Sequence, residues 1–459
     1  MKLTASKNLQ TIRDGKHTYI YNSLFGNLLK ATEEDVNLIN FFKSGNTVED
    51  AKRLYGTESE KIEELRKRMF LIEEGFDERE FLKKKITEGI EKNIDTGALV
   101  YKLQLLVTTN CNLACAYCFR NKVIDPLTKE HGKMNFQVAR KAMDGFLDIT
   151  RRNKKEEVYV KFLGGEPLLN WNLIENLVLY VDSLGVTKPK INYILCTNGV
   201  SMNDSVAKIL KEYNFGISIS LDGVGETQDK LRKRITGEGT FKEIDRSIDI
   251  LNEYENRIVV NAVLTDANLY HLRELIDYLY EKGIEQLSIN TLRYASLMNY
   301  RQTASAKEKV EQLIDARKYG KEKGIVVGGK WFRLYKKTNE VEYPSYCRRM
   351  GEMLSVEPSG DVYTCSGLPI KVGNVEDMNA VFKSDEYRKI ALRVMGNIPL
   401  CYGCEIEGMC AGGCAGNAYV ASGNVYNPDL TECEFRKEIT RRLILMEDWE
   451  KAKNECIQI

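Results

Sequence analysis

Between residues 101 and 290 the chain alternates short apolar strands with amphipathic helical stretches, and this alternation restricts the fold more than any other feature. The strand segments are YKLQLLVTT, EVYVKFLGG, KINYILCTNG, FGISISLDG, IVVNAVLT and IEQLSIN. Strands separated by helices are joined by crossovers and therefore run parallel. Six of them predict an α/β architecture, an open and partial (β/α)6 barrel, with functional groups at the C-terminal ends of the strands.

Cysteine usage narrows the chemistry. The opening residues MKLTASKNLQTIRDGKHTYIY lack the apolar centre of a signal peptide, and no stretch approaches a membrane span, so a cytoplasmic location is expected. In a reducing compartment the 12 cysteines are read as metal or redox ligands rather than disulfides. With only 3 histidines, thiolate-held iron–sulfur sites fit better than zinc-hydrolase or non-haem iron sites, which need imidazole. The 67 basic and 66 acidic residues nearly cancel, so no global field draws the chain to nucleic acid or to an anionic membrane.

Cys111, Cys115 and Cys118 follow the first strand directly, in TTNCNLACAYCF, with the spacing C-x3-C-x2-C. Three thiolates on one tight loop hold three irons of a 4Fe-4S cluster and leave the fourth iron open to an outside ligand. A zinc knuckle is the competing reading, but zinc favours four ligands and a C-x2-C start. In its strand context this loop resembles that of the radical S-adenosylmethionine (radical SAM) superfamily. The resemblance implies that the open iron binds the amino and carboxylate groups of S-adenosylmethionine, that reduction yields a 5′-deoxyadenosyl radical, and that Tyr117 lies against the adenine. Gly164, Gly165 and Glu166, followed by Pro167, match the family's GGEP motif, where polar groups meet the methionyl ammonium and glycine permits close approach. By the same resemblance Asn198, Ser218, Ser220 and Asp222 at later strand ends contact the ribose and the methionyl carboxylate. Arg232, in the stretch Gln228-Asp229-Lys230-Leu231-Arg232, is a further cofactor or substrate contact, with a surface salt bridge as the alternative.

The C-terminal cysteines Cys347, Cys365, Cys401, Cys404, Cys410, Cys414 and Cys433 fall among glycines and short turns, in a region so poor in core pattern that metal is expected to supply folding energy. Their spacing resembles the SPASM domain of enzymes that mature peptides and proteins; a pair of structural zinc sites is the alternative. The resemblance assigns Cys347, Cys365 and Cys414 to a near auxiliary cluster and Cys401, Cys404, Cys410 and Cys433 to a distal one. Seven thiolates are one short of two full ligand sets, so the near cluster's fourth position is open, taken by substrate, or filled by Cys456. Three 4Fe-4S clusters and S-adenosylmethionine are thus the expected cofactors. Cys196, inside an apolar strand, reads as a small buried residue.

Residues 1–80 form a winged-helix-like pattern: a hairpin of HTYIYN and NLLKAT around SLFGN, then helices EEDVNLINFF after Thr32, VEDAKRLYG after Thr47, and EKIEELRKRMFLIEEG. This resembles the recognition element that captures the leader of ribosomally made, post-translationally modified peptides, in which the hairpin edge and the last helix form the leader's groove. A DNA-binding winged helix is the rival, disfavoured by the balanced charge. The charged run DEREFLKKKITEGIEKNID, residues 77–95, is expected to be solvated helix, with the linker at 81–99, the barrel at 100–300, a bridging region at 301–346, and the auxiliary iron–sulfur domain at 347–459.

The expected activity is modification of a ribosomal precursor peptide by radical hydrogen abstraction, with a cysteine thioether as the leading product. Carbon–carbon or cyclophane crosslinking, epimerisation and formylglycine-type oxidation are alternatives. The last is weakened because Ser366 stands where sulfatase-maturating relatives carry an aspartate base. A flavodoxin or ferredoxin is the expected electron donor. A non-catalytic peptide-binding electron carrier is the reading from a different class.

Overall fold

A computed structural model describes residues 2–56, 59–129, 131–294, 300, 302–332, 346, 347 and 351–446. Cys456 lies outside them.

The N-terminal region holds two small sheets and three helices. Strand β1 (Lys2–Ala5) sits antiparallel between β5 (Asn46–Thr47) and β6 (Leu71–Glu73), while β2 (Leu9–Arg13), β3 (Thr18–Asn22) and β4 (Leu28–Ala31) form an antiparallel meander. Helix α1 (Glu33–Phe42) starts at a capping box of Thr32 with Asp35; α2 (Val48–Tyr55) starts at Thr47 and stops at Gly56, whose φ of 63° is the left-handed conformation glycine adopts most easily. Two expectations change here. The hairpin is present, but β3 is the central strand, so the free edges belong to β2 and β4. The third helix, α3 (Ser59–Lys67), is shorter than expected: Met69 turns the chain with a φ of 58°, and the apolar run that follows becomes β6, whose Leu71 packs with Leu3 and Phe42. Burial of a continuous apolar run against β1 outweighs its helical pattern.

The segment expected to be a solvated linker is helix α4 (Glu78–Ile94), and it is docked. Leu82 and Ile86 pack against Leu24, Phe25, Val394 and Met395, and Arg79 forms a two-point ion pair with buried Glu407 of the auxiliary region. Its apolar stripe is narrow, and the surrounding charges obscure it in sequence.

All six strands of the α/β stretch form: β7 (Lys102–Thr108), β8 (Glu157–Gly164), β9 (Lys190–Thr197), β10 (Gly216–Ser220), β11 (Arg257–Leu264) and β12 (Gln286–Thr291). They lie in chain order, each parallel to the next, and β13 (Val326–Gly328) extends the series beyond β12. On the other side β7 pairs in parallel with β14 (Met353–Val356), followed by antiparallel β15 (Asp361–Tyr363) and β16 (Lys371–Asn374). The first strands of the cysteine-rich region are therefore part of the central ten-stranded mixed sheet. One face of the parallel strands presents Leu195, Ile217, Ile219, Val260, Leu287 and Ile289 to the main core. The two-residue period puts Ser218, Asn261, Ser288 and Asn290 on the opposite face, where Asn290 donates to Asn261 at 3.3 Å and to Ser288 at 3.2 Å. Among the described residues no helix is long and apolar enough to cross a membrane.

Candidate active site

The loop carrying Cys111, Cys115 and Cys118 leaves the end of β7 and is pinned along its backbone. Gly165 N–H donates to the Thr108 carbonyl and Glu166 N–H to the Asn110 carbonyl, both at 2.8 Å; Ala114 and Ala116 donate to the carbonyls of Lys233 and Leu231 at 2.8 and 3.1 Å. A Cβ on Gly164 would stand 2.1 Å from the Thr108 oxygen, and one on Gly165 2.3 Å from the Asn110 oxygen. The two glycines are thus required to let the end of β8 close on the cysteine loop. The Cys111 sulfur accepts from Leu113 N–H at 3.4 Å and lies 3.9 Å from Asn198 Nδ2. Burial pushes the Cys111 thiol up to about 12 and that of Cys115 up to about 11, so these sites need a metal's charge to become thiolates.

Glu166 is fully buried, and its carboxylate ties the strand ends together. It accepts from Thr197 Oγ1 at 2.6 Å, Asn198 N–H at 2.7 Å and Leu168 N–H at 3.0 Å. Burial raises its carboxyl to about 7 against the opposing pull of those hydrogen bonds. Asn198 in turn donates to Asn112 Oδ1 at 2.8 Å, within the cysteine loop.

Asp222, at the end of β10, gathers a second group. It accepts from Arg232 Nε at 2.7 Å, Arg232 Nη2 at 3.3 Å, Val263 N–H at 2.8 Å and the Tyr117 hydroxyl. The Arg232 guanidinium lies 5.4 Å from the centre of the Tyr117 ring. Arg232 is therefore in an ion pair, but a buried one that locks Tyr117 rather than a surface bridge. Ser218 accepts from Asn261 Nδ2, and Ser220 is half-buried at the strand end. Cys196 is half-buried in register with Ser218, more open than a core residue.

Cys347, Cys365 and Cys414 line one cavity with Arg293, Lys330 and Tyr346. Burial pushes the Cys401 thiol up to about 12, and the charges of Cys410, Cys404 and Cys433 push the same way. Among the described residues no group of three or more His, Cys, Asp or Glu side chains closes on a single metal ion. A four-iron cluster spaces its thiolates more widely than a single ion does.

A larger cavity of about 610 Å³ opens beside these groups, lined by Leu264, Thr291, Tyr300, Lys309, Asn417 and Phe435 among others. The Tyr300 ring meets that of Tyr117 edge-on at 6.2 Å, and Asn417 is three residues beyond Cys414, so the cavity adjoins both cysteine regions.

Residues 105–279 match the family model of the radical SAM superfamily, and residues 347–405 match that of SPASM, an iron–sulfur cluster-binding domain. The chain belongs to the radical SAM superfamily. It is similar to the radical SAM cyclopropyl synthase TigE of Paramaledivibacter caminithermalis, with 27% identity covering 99% of this chain and 97% of that protein. Among solved structures, anSMEcpe with bound AdoMet and a peptide is similar at a TM-score of 0.63 and 21% identity, over 77% of this chain and 99% of that one. Streptococcus suis SuiB bound to precursor peptide SuiA is similar at a TM-score of 0.56 and 18% identity, over 94% of this chain and 100% of that one.

Membership implies 4Fe-4S clusters and S-adenosylmethionine, and the radical SAM site fits them: three thiols on one loop, and a glycine pair holding that loop to the next strand. Sequence reasoning missed several contributors. Arg120, two residues past Cys118, donates to both Glu357 oxygens at 3.1 and 3.0 Å, to the Ser366 carbonyl at 2.8 Å, and pairs with Asp125 at 2.5 Å, all buried. It joins the end of the Cys111–Cys118 loop to Glu357 and to the residue after Cys365. Asn112 and Asn261 were also missed; the polar–apolar alternation of ISIS and VNAV carried the signal for Asn261, whereas nothing local marks Arg120.

Proposed function

We propose that this radical SAM enzyme modifies a ribosomally made precursor peptide, most simply by closing a cysteine thioether. The observation that carries the reading is the 610 Å³ cavity between the ends of β11 and β12 and the auxiliary domain, which adjoins Tyr117 on one side and Cys414 on the other. When bound, S-adenosylmethionine and the cluster at Cys111, Cys115 and Cys118 would supply a one-electron cleavage that produces a hydrogen-abstracting radical. The chain's own residues do the holding. Asp222 and Arg232 immobilise Tyr117, Glu166 clamps Asn198 beside Cys111, and the polar face of Ser218, Ser220 and Asn261 is available to the cofactor's ribose and carboxylate.

In this reading β7 to β12 curve as a partial barrel around the cofactor. The N-terminal meander offers the leader an open edge on β2 or β4, and the leader raises the local concentration of the core residue at the cavity. Both SuiB and anSMEcpe, similar in fold, have been captured with peptides. Three clusters, with Cys347, Cys365 and Cys414 at the near auxiliary one and Cys401, Cys404, Cys410 and Cys433 at the distal one, complete the set in a reducing cytoplasm. A flavodoxin- or ferredoxin-type donor supplies electrons. Formylglycine chemistry is disfavoured: Ser366, in the place of an aspartate base, is buried and its carbonyl is held by Arg120. A second reading, ring closure between carbons, draws on the similarity to the cyclopropyl synthase along nearly the whole chain.

The test is anaerobic turnover with a short cysteine-containing peptide encoded beside this chain. A product lighter by two hydrogens, with its cysteine no longer alkylatable, supports the thioether; the same mass loss with a free thiol supports carbon–carbon closure. Cys118→Ala must abolish 5′-deoxyadenosine, and its continued formation rejects the initiating site.

A further inference from the structure

The near auxiliary site is built around a guanidinium. Arg293 follows the end of β12, and its side chain reaches between the loops that carry Cys365 and Cys414. Nη2 donates to the Tyr294 hydroxyl at 2.8 Å and to the Gly367 carbonyl at 3.4 Å, and lies 3.6 Å from the Cys414 sulfur. Two glycines make room for it. A Cβ on Gly367 would stand 2.4 Å from Nη2 and 2.9 Å from Cζ, and one on Gly416 would stand 3.1 Å from Nη2. On its other side Cζ is 4.7 Å from the ring centre of Phe119, the residue after Cys118, and 4.9 Å from that of Tyr294. One cation therefore touches the chain leaving the initiating loop and both loops that supply Cys365 and Cys414.

That cation has no carboxylate partner among the described residues, and its Nε is buried without a hydrogen bond there. A half-buried guanidinium with a buried, unbonded Nε and no counter-charge beside it is costly, so the site calls for an anion. A cluster held by cysteinates would be one, and the residues that would hold it line the cavity Arg293 faces: Arg293, Cys347, Cys365 and Cys414 share it. A positive charge and an N–H donor at a cluster sulfur stabilise the reduced, more negative state more than the oxidised one, which raises the reduction potential.

We propose that Arg293 is a positioning residue that sets the potential of the near auxiliary cluster, making it the acceptor for the electron that remains when the substrate bond closes. The inference rests on the three-cluster reading above. For a thioether, the substrate carbon has already lost its hydrogen atom to the deoxyadenosyl radical, and that carbon radical bonds to sulfur as the S–H bond breaks; the thiol proton passes to water, and the one electron released would go to the near cluster, which an external one-electron carrier would reoxidise. Arg293 biases that transfer and touches no substrate atom.

The experiment is a redox titration of the anaerobically reconstituted full chain, followed by electron paramagnetic resonance, with Arg293→Gln and Arg293→Lys alongside. In Arg293→Gln the reduction equilibrium of one cluster falls at least tenfold, about 59 mV toward the negative for one electron, while the other two clusters hold their potentials. More 5′-deoxyadenosine is then spent per peptide product. Lysine keeps the charge without the planar fork, so Arg293→Lys shifts the same cluster in the same direction by less. Should Arg293→Gln fail to hold that cluster, the Lys variant decides alone. Unchanged potentials for all clusters, with about twelve irons per chain, overturn the role of Arg293. About eight irons in the unaltered chain overturn the three-cluster reading instead.

Discussion

Gly165→Ala isolates the contact on which the initiating site depends. The added methyl would sit 2.3 Å from the Asn110 oxygen and 2.5 Å from the Thr109 oxygen, and both are backbone atoms that cannot rotate away. An ordinary carbon–oxygen contact is about 3.3 Å or more, so the end of β8 and the cysteine loop must part by about 1 Å. That parting strains or breaks the two 2.8 Å bonds from Gly165 and Glu166 N–H to the loop carbonyls. Overpacking of this kind costs about 1–3 kcal/mol, and each strained hydrogen bond adds about 1 kcal/mol, so a loss of about 4 kcal/mol is expected. Against a total of about 5–15 kcal/mol this is large but survivable in a domain of this size. Urea denaturation of the metal-free protein measures the loss, and iron counting after reconstitution measures the consequence: about four irons fewer, with the auxiliary clusters retained. A Gly165→Ala protein with unaltered stability and full iron would refute the argument that the glycine exists to let β8 close on the loop.

Arg120→Met takes a buried counter-charge from Glu357 and Asp125 and is expected to destabilise the fold by about 3–5 kcal/mol in urea denaturation, whereas Arg120→Met with Glu357→Leu costs less than the sum of the single changes. Additive effects would show that the pair does not act as a unit. The pH dependence of the metal-free protein should carry the mark of Glu166. Its folded carboxyl titrates near 7 and its unfolded one near 4.5, so the native state binds the extra proton between these values, and stability falls as pH rises through that window before levelling off above about 7. The drop attributable to this group is about 3 kcal/mol, and Glu166→Gln removes it; identical slopes in both proteins would reject the buried-carboxyl assignment.

The parallel strands, the capped helices at Thr32 and Thr47, and the cysteine spacing were legible because each is set by neighbours within a few residues. Two-residue alternation marks a strand, a Thr–x–x–Asp step marks a helix start, and C-x3-C-x2-C marks a loop that bends round a cluster. Where a local pattern was ambiguous, burial decided. The run after Met69 reads as helix but pairs with β1, and the charged stretch after Asp77 reads as a linker yet is docked along Leu82 and Ile86. The polar face of β10 to β12 was present as alternating serine and asparagine, but alternation alone does not say which face meets solvent.

The sequence by itself determined the class of chemistry, because ligand identity and spacing are one-dimensional quantities: three sulfurs on one loop, then seven more in fixed order. Only the tertiary structure decided how the sites are joined. Arg120 reaching Glu357, Arg79 reaching Glu407, and Arg293 threading between Gly367 and Gly416 are contacts between distant positions. Each depends on burial, where a lone charge is expensive and must find its partner through space rather than along the chain.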